Sequence, residues 1–310
     1  MKASAVSYAR PESLAQVFAL LAEYGDSAQI LAGGQSLVPM LNLRLAQPDV
    51  LVDITRINGL NSITVDDGLV HIGALVTHHD IEHSALIARH APLLAKAVPH
   101  VAHVAIRHCG TMGGSVALAD PGAEYPACLV ALDARVVLTS NSGERRLAAT
   151  DFFQGIYETA LRPGELVTAV EFAACQPGQV FAFAELARRQ GDYAMVGLAA
   201  VARRDGVGVE SRAGGTGGKG GTGGAVQLSE LRLGFLGAGP TPMLARNAAA
   251  LVSGKFLNDT TIAAAQHALG DELAPLDDLN AQAATKLHLA KVLLARVLHE
   301  LTGLPTKALV

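Results

Sequence analysis

Tryptophan is absent from the 310 residues, aromatics amount to 4%, and only three cysteines occur. Cys109, Cys128 and Cys175 form no C-x-x-C pair. A typical iron–sulfur cluster needs four thiolates, so this chain does not hold one alone. Long apolar runs are also missing, and nothing approaches the ~20 residues of a membrane span. The opening MKASAVSYARPESLAQ has no apolar core of a signal peptide. A cytoplasmic chain is expected, in which structural disulfides are disfavoured and the three thiols read as small buried hydrophobes. No basic stripe runs along any segment, net charge is −4 and the sequence pI is near 6.2. That balance argues against nucleic acid as a partner.

What is present is a chain built to pack. Half of the residues are hydrophobic and 17% are charged, which suits two or three compact units. Residues 1–57 read as a small α/β unit: a helix over 11–24, short strands at 28–31 and 50–54, and a helix-like stretch over 36–45. Residues 58–176 read as a larger unit. It has a hairpin over 63–74 turning at Asp66-Asp67-Gly68, a helix over 78–90 capped by Thr77, and a helix over 92–98. A helix over 126–133, a hairpin turning at Asn141-Ser142-Gly143 and a strand over 165–172 follow. Gln176-Pro177-Gly178 marks a boundary. Residues 177–310 read as strands over 180–187, 198–203 and 226–236, then helices near 241–253, 259–270 and 279–302. Strands followed by helices predict an antiparallel sheet with helices on one face, so the fold class is α+β.

Two glycine-bearing segments carry the chemistry. In Ala32-Gly33-Gly34-Gln35-Ser36-Leu37 a buried strand runs into two glycines and a hydroxyl residue. Glycines let backbone N–H groups approach an anion closely, and successive amides converge into a nest. Gly110-Thr111-Met112-Gly113-Gly114-Ser115 repeats the pattern, and Asp120-Pro121-Gly122 turns the chain just beyond. Neither segment contains Lys or Arg, so N–H dipoles are expected to balance a bound diphosphate. Two such segments suit a dinucleotide better than a single phosphate. A G-x-G-x-x-G after the first strand, the nicotinamide fingerprint, is absent. The glycine-rich run over 214–224 is not a P-loop, because Gly220 follows Lys219 and Ala213 precedes the run. It reads as a hairpin connection.

These residues together resemble the FAD-binding medium subunits of molybdenum hydroxylases. The likeness rests on residues 32–54 (AGGQSLVPMLNLRLAQPDVLVDI), 105–134 (AIRHCGTMGGSVALADPGAEYPACLVALDA) and 188–200 (RRQGDYAMVGLAA). It implies a two-part FAD-binding domain, a small α/β unit plus a larger α+β unit, followed by the C-terminal sheet-plus-helices domain. By the same resemblance Ala32, Gly33, Gly34, Gln35, Ser36 and Leu37 hold the FAD diphosphate, and Thr111, Gly113, Gly114 and Ser115 form a second wall. Asp120 or Glu124 contacts ribityl or ribose hydroxyls, Val167 touches the adenine side through its backbone, and Asp192 and Tyr193 lie beside the isoalloxazine ring. The partners implied are a small subunit with two [2Fe-2S] clusters and a large subunit with the molybdenum cofactor, as a dimer of heterotrimers. Electrons would pass from those clusters to FAD and on to an external acceptor. No catalytic acid, base or nucleophile is expected in this chain. Xanthine dehydrogenases carry a Lys near position 184, where this chain has Ala184. That departure points away from a nicotinamide acceptor and towards a quinone or dye.

Two other readings compete: a self-sufficient flavin oxidoreductase with its own organic substrate, and a non-enzymatic nucleotide-binding protein. Eight of the eleven histidines fall between His71 and His108. His79 and His83 are spaced i, i+4, but spacing fixes no further ligand, so no metal site is expected and hydrogen-bonded or exposed histidines are.

Overall fold

A computed structural model describes residues 2–208 and 225–303, so the 214–224 run lies outside the described residues. The first unit is a three-stranded parallel sheet in the order Ser7–Ala9, Val50–Asp53, Ala28–Leu31. All four residues of the central strand are buried, as expected of a parallel strand covered on both faces. Val17 and Phe18 of the helix Leu14–Tyr24 pack against Val50 and Val52. Ser13 caps that helix by accepting the Gln16 amide at 3.3 Å, which starts it three residues later than Pro11. Gly25, at φ +52°, ends it.

The second unit is a five-stranded antiparallel sheet ordered Ile63–Asp66, Leu69–Gly73, Leu166–Ala173, Arg135–Ser140, Gly143–Ala148. Asp67 and Gly68 both have positive φ, +49° and +77°, as the tight two-residue turn of a twisted hairpin requires. Leu166–Ala173 threads between the two hairpins, and seven of its eight residues are buried. The helix expected over 78–90 is two, His78–His83 and Ala85–His90. Ser84 is extended and its hydroxyl accepts the Ile87 amide at 3.3 Å. A serine that satisfies the backbone locally competes with the helical ladder and restarts it.

The C-terminal unit is a four-stranded antiparallel sheet ordered Gln179–Ala187, Ala194–Gly208, Ala225–Leu236, Met243–Leu244. Helices Arg246–Val252, Asp259–Glu272 and Ala283–Thr302 pack on one face, as expected, though the last begins at Ala283 rather than 279. Successive strand residues point to opposite faces. Val196, Leu198, Ala200 and Ala202 accordingly join the core under those helices, whereas Ala199 and Val201 join the core of the preceding unit. The second face is thus covered by helices Pro92–Ala97 and Glu124–Ala131. A Cβ at Gly234 would meet the Ala127 carbonyl oxygen at 2.5 Å, so helix and strand touch backbone to backbone.

Gly234→Val should therefore lower the thermal midpoint of the purified chain, by the equivalent of about 1–3 kcal/mol, the range for overpacking a filled contact. A variant that melts with the parent would show that the helix does not sit on this strand.

Candidate functional site

The strand Ala28–Leu31 ends at the edge of the first unit, and residues 32–36 leave it without regular structure. Gly34 is left-handed at φ +69°. Gln35 folds back, its side-chain amide donating to the Gly33 carbonyl at 3.0 Å. A helix, Leu37–Asn42, follows, and Val38 donates to the Gly34 carbonyl at 3.0 Å. The amides of Gly33, Gly34, Gln35, Ser36 and Leu37 have no hydrogen-bond acceptor among the described residues. Five consecutive N–H groups without protein partners among the described residues, on half-buried to exposed backbone, are available to an anion.

The second segment touches the first. A Cβ on Gly33 would lie 2.7 Å from the Cys109 carbonyl carbon and 2.9 Å from the Gly110 Cα. Only glycine admits so close an approach. The sequence reading is corrected in one respect: Thr111-Met112-Gly113-Gly114-Ser115 is not a turn offering amides. Thr111 is the N-cap of a helix, Met112–Leu118. Its hydroxyl takes the Gly114 amide at 3.1 Å and its carbonyl takes that of Ser115. Met112 and Gly113 donate to the carbonyls of Val76 and Ala74, at 2.9 and 2.8 Å. The glycine at 113 serves packing, since a Cβ there would be 2.8 Å from the Ala74 Cα. What this segment presents outward is exposed Gly114 and half-buried Ser115.

Val167 is buried in the large sheet, one residue before Thr168. It pairs with Leu138 next to a bulge at Thr168. The Thr168 carbonyl accepts the Ala74 amide at 2.8 Å, and the Ala74 carbonyl accepts that of Gly113 at 2.8 Å. Beneath Gly110, His78 is buried and donates its backbone amide to the Gly110 carbonyl at 2.9 Å. Desolvation, with the Arg107 charge, pushes its imidazole down to about 4.

A third cluster lies where the chain leaves the helix Met112–Leu118. That helix stops at left-handed Ala119, and Asp120 turns the chain by accepting the Gly122 amide at 2.9 Å. Its other carboxylate oxygen accepts from the Tyr157 hydroxyl at 3.2 Å. The Tyr193 ring lies 3.8 Å from where a Gly122 Cβ would be. Both tyrosines are exposed. Tyr157 is pushed up to about 12 by desolvation and then by the Asp120 charge, and Tyr193 is raised for the same reasons. Tyr157 was not legible in the sequence, because a lone tyrosine 37 residues from Asp120 carries no motif. Gly191, at φ +84°, packs on His103 and delivers exposed Asp192 and Tyr193 to this edge.

Glu124 begins the helix Glu124–Ala131 beside this cluster and is half-buried. Desolvation pushes its carboxyl up to about 7; a backbone hydrogen bond opposes the shift and the Glu185 charge adds to it. Glu185 lies 3.4 Å from His100 Nδ1, which raises that imidazole, while its second oxygen is buried without a partner among the described residues. Of the three cysteines only Cys128 is buried; Cys109 is exposed and Cys175 intermediate.

A family model described as the FAD binding domain in molybdopterin dehydrogenase matches residues 4–174. A second, described as the CO dehydrogenase flavoprotein C-terminal domain, matches residues 181–301. The 6-hydroxypseudooxynicotine dehydrogenase complex subunit alpha of Paenarthrobacter nicotinovorans is 36% identical over 298 residues, 96% of this chain and 95% of that protein. Carbon monoxide dehydrogenase from Hydrogenophaga pseudoflava, in a form lacking the Mo-pyranopterin moiety of the molybdenum cofactor, is structurally similar with a TM-score of 0.89. It is 33% identical, covering 98% of this chain and 99% of that one. Quinoline 2-oxidoreductase from Pseudomonas putida 86 gives 0.86 at 35% identity, covering 98% and 99%.

The Glu124 environment makes stability depend on pH. Its folded value, about 7, lies above the ordinary 4.5, so the folded state holds that proton more tightly than the unfolded state. Stability falls as pH rises from about 4.5 to about 7, and the full penalty applies above that. Glu124→Gln should stabilise the FAD-free chain at pH 8, by up to about 3 kcal/mol, and leave it unchanged near pH 4. Melting curves at both pH values check this, and equal gains at both would refute the assignment.

Proposed function

This chain belongs to the family of FAD-binding medium subunits of molybdenum hydroxylases, and from that premise we propose that it relays electrons from iron–sulfur clusters of a small subunit, through FAD, to an external acceptor. The observation that carries the reading is the row of five amides from Gly33 to Leu37, without partners among the described residues, beyond the end of the edge strand Ala28–Leu31. A diphosphate there is held by N–H dipoles, with the Ser36 hydroxyl alongside and Ala32 leading the backbone in. Any side chain on Gly33 would collide with the Cys109–Gly110 backbone and separate the two walls.

The remaining contacts follow from position. Gly114 and Ser115 line the opposite wall, with the Ser115 hydroxyl as a donor, and the buried Thr111 and Gly113 hold that wall in place from behind. Asp120 and Glu124 accept hydrogen bonds from ribityl or ribose hydroxyls, and a Glu124 carboxyl titrating near neutrality can donate as well. Val167 supports the adenine side through its backbone. Asp192 and Tyr193 border the isoalloxazine ring, and the exposed Tyr193 face packs on it. FAD, when bound, supplies the redox chemistry, taking electrons singly and releasing them in pairs. The protein's part is to bind, orient and shield. A large subunit with the molybdenum cofactor hydroxylates the substrate, and a dimer of heterotrimers in the cytoplasm is the assembly. Ala184 supports an acceptor other than a nicotinamide. Residues 1–176 and 177–310 are the two domains.

Two experiments test this. Gly33→Val with Gly34→Val should abolish the yellow flavin spectrum of the purified chain while far-ultraviolet dichroism stays close to the parent. A stoichiometric flavin in the double variant would refute the diphosphate site. Co-expression with the neighbouring genes should yield molybdenum and iron co-eluting with the chain. Substrate-driven bleaching of the chain alone, with no metal, would favour the self-sufficient oxidoreductase instead.

A further inference from the structure

We propose that His79, Glu82 and His83, with His108, form a binding site for a single divalent transition-metal ion of the zinc class. His79 and His83 sit i, i+4 on the helix His78–His83, whose first turn is fixed by a capping box between Thr77 and Asp80. That spacing places both rings on one face, and their centroids are 4.2 Å apart. Spacing alone names no further ligand; the structure adds Glu82. One ligand atom from each of His79, Glu82 and His83 lies within 4.8 Å of the others. Coordination at about 2.0–2.2 Å requires these atoms to draw together, and half-buried or exposed side chains have room to turn.

The surroundings orient these groups as they do around metals. His83 Nδ1 lies 2.9 Å from the His79 carbonyl oxygen. A carbonyl only accepts, so Nδ1 carries the proton and Nε2 presents its lone pair. Glu82 is held by Arg107, whose Nε and Nη2 reach its two carboxylate oxygens at 2.9 and 3.3 Å. Arg107 is itself buried and donates to the carbonyls of Val101 and Ala102. Each carboxylate oxygen keeps a lone pair for a cation, although the guanidinium charge tempers the affinity. His108, just past the helix Val104–Arg107, stacks on His79 with centroids 4.1 Å apart and is the nearest further imidazole to complete the set. Imidazoles with one carboxylate suit zinc rather than magnesium or calcium. A bound ion would tie the helix His78–His83 to residues 104–110, whose far end lies against Gly33.

Calorimetric titration of Zn²⁺ into the untagged, chelator-treated full chain should show one saturable equivalent. Co²⁺ in its place should give a visible absorption band of a low-coordinate site. His83→Asn, at an exposed position, should weaken binding at least about tenfold, the scale set by lost metal-site contacts. His79→Asn with His83→Asn should remove binding, with dichroism confirming the fold. No saturable binding, or binding unchanged in His83→Asn, overturns the proposal.

Discussion

The site depends on one close approach, the Gly33 backbone against the Cys109 carbonyl and Gly110. The first unit brings a strand end with unpartnered amides, and the second brings a wall anchored from below. The contact leaves no room for a methyl group, so the distance between walls is set by main chain rather than by adaptable side chains. Behind it runs a hydrogen-bond chain from the Thr168 carbonyl through Ala74 to Gly113. The central strand of the large sheet thereby positions the second wall.

Charge follows the same economy. A diphosphate bound to amides meets fixed dipoles that need no reorganisation. Glu124 lies near Glu185 and Asp120, and burial first, with those two charges adding to it, raises its carboxyl towards neutrality. His78, buried directly beneath Gly110, is pushed the other way and stays uncharged at neutral pH.

Much of this was legible in the sequence because local chemistry and global fold agree. Ala28–Leu31 is a short apolar run stopped by glycines, and Asp67-Gly68 is a turn with a mechanism. The C-terminal strands and helices follow their periodicities. Failures came where one residue type supports two outcomes. Gly113-Gly114 reads as a loop, but Thr111 caps a helix through them, taking the Gly114 amide, while the Gly113 amide goes to the Ala74 carbonyl. Ser84 reads as helical but divides its helix. Tyr157 had no signal, because its place beside Asp120 arises from tertiary structure and a left-handed backbone. The resemblance supplied the expected site residues that spacing alone did not, Val167 among them.

The C-terminal sheet, packed on both sides, links the fate of the two halves. Phe183, Val201 and Leu236 share a core with Leu93, Leu94 and Leu129 of the preceding unit. Cutting the chain between them would leave two wet apolar scars, so the nucleotide-holding half is not a portable module. Gene rearrangements that preserve function would have to carry both halves together.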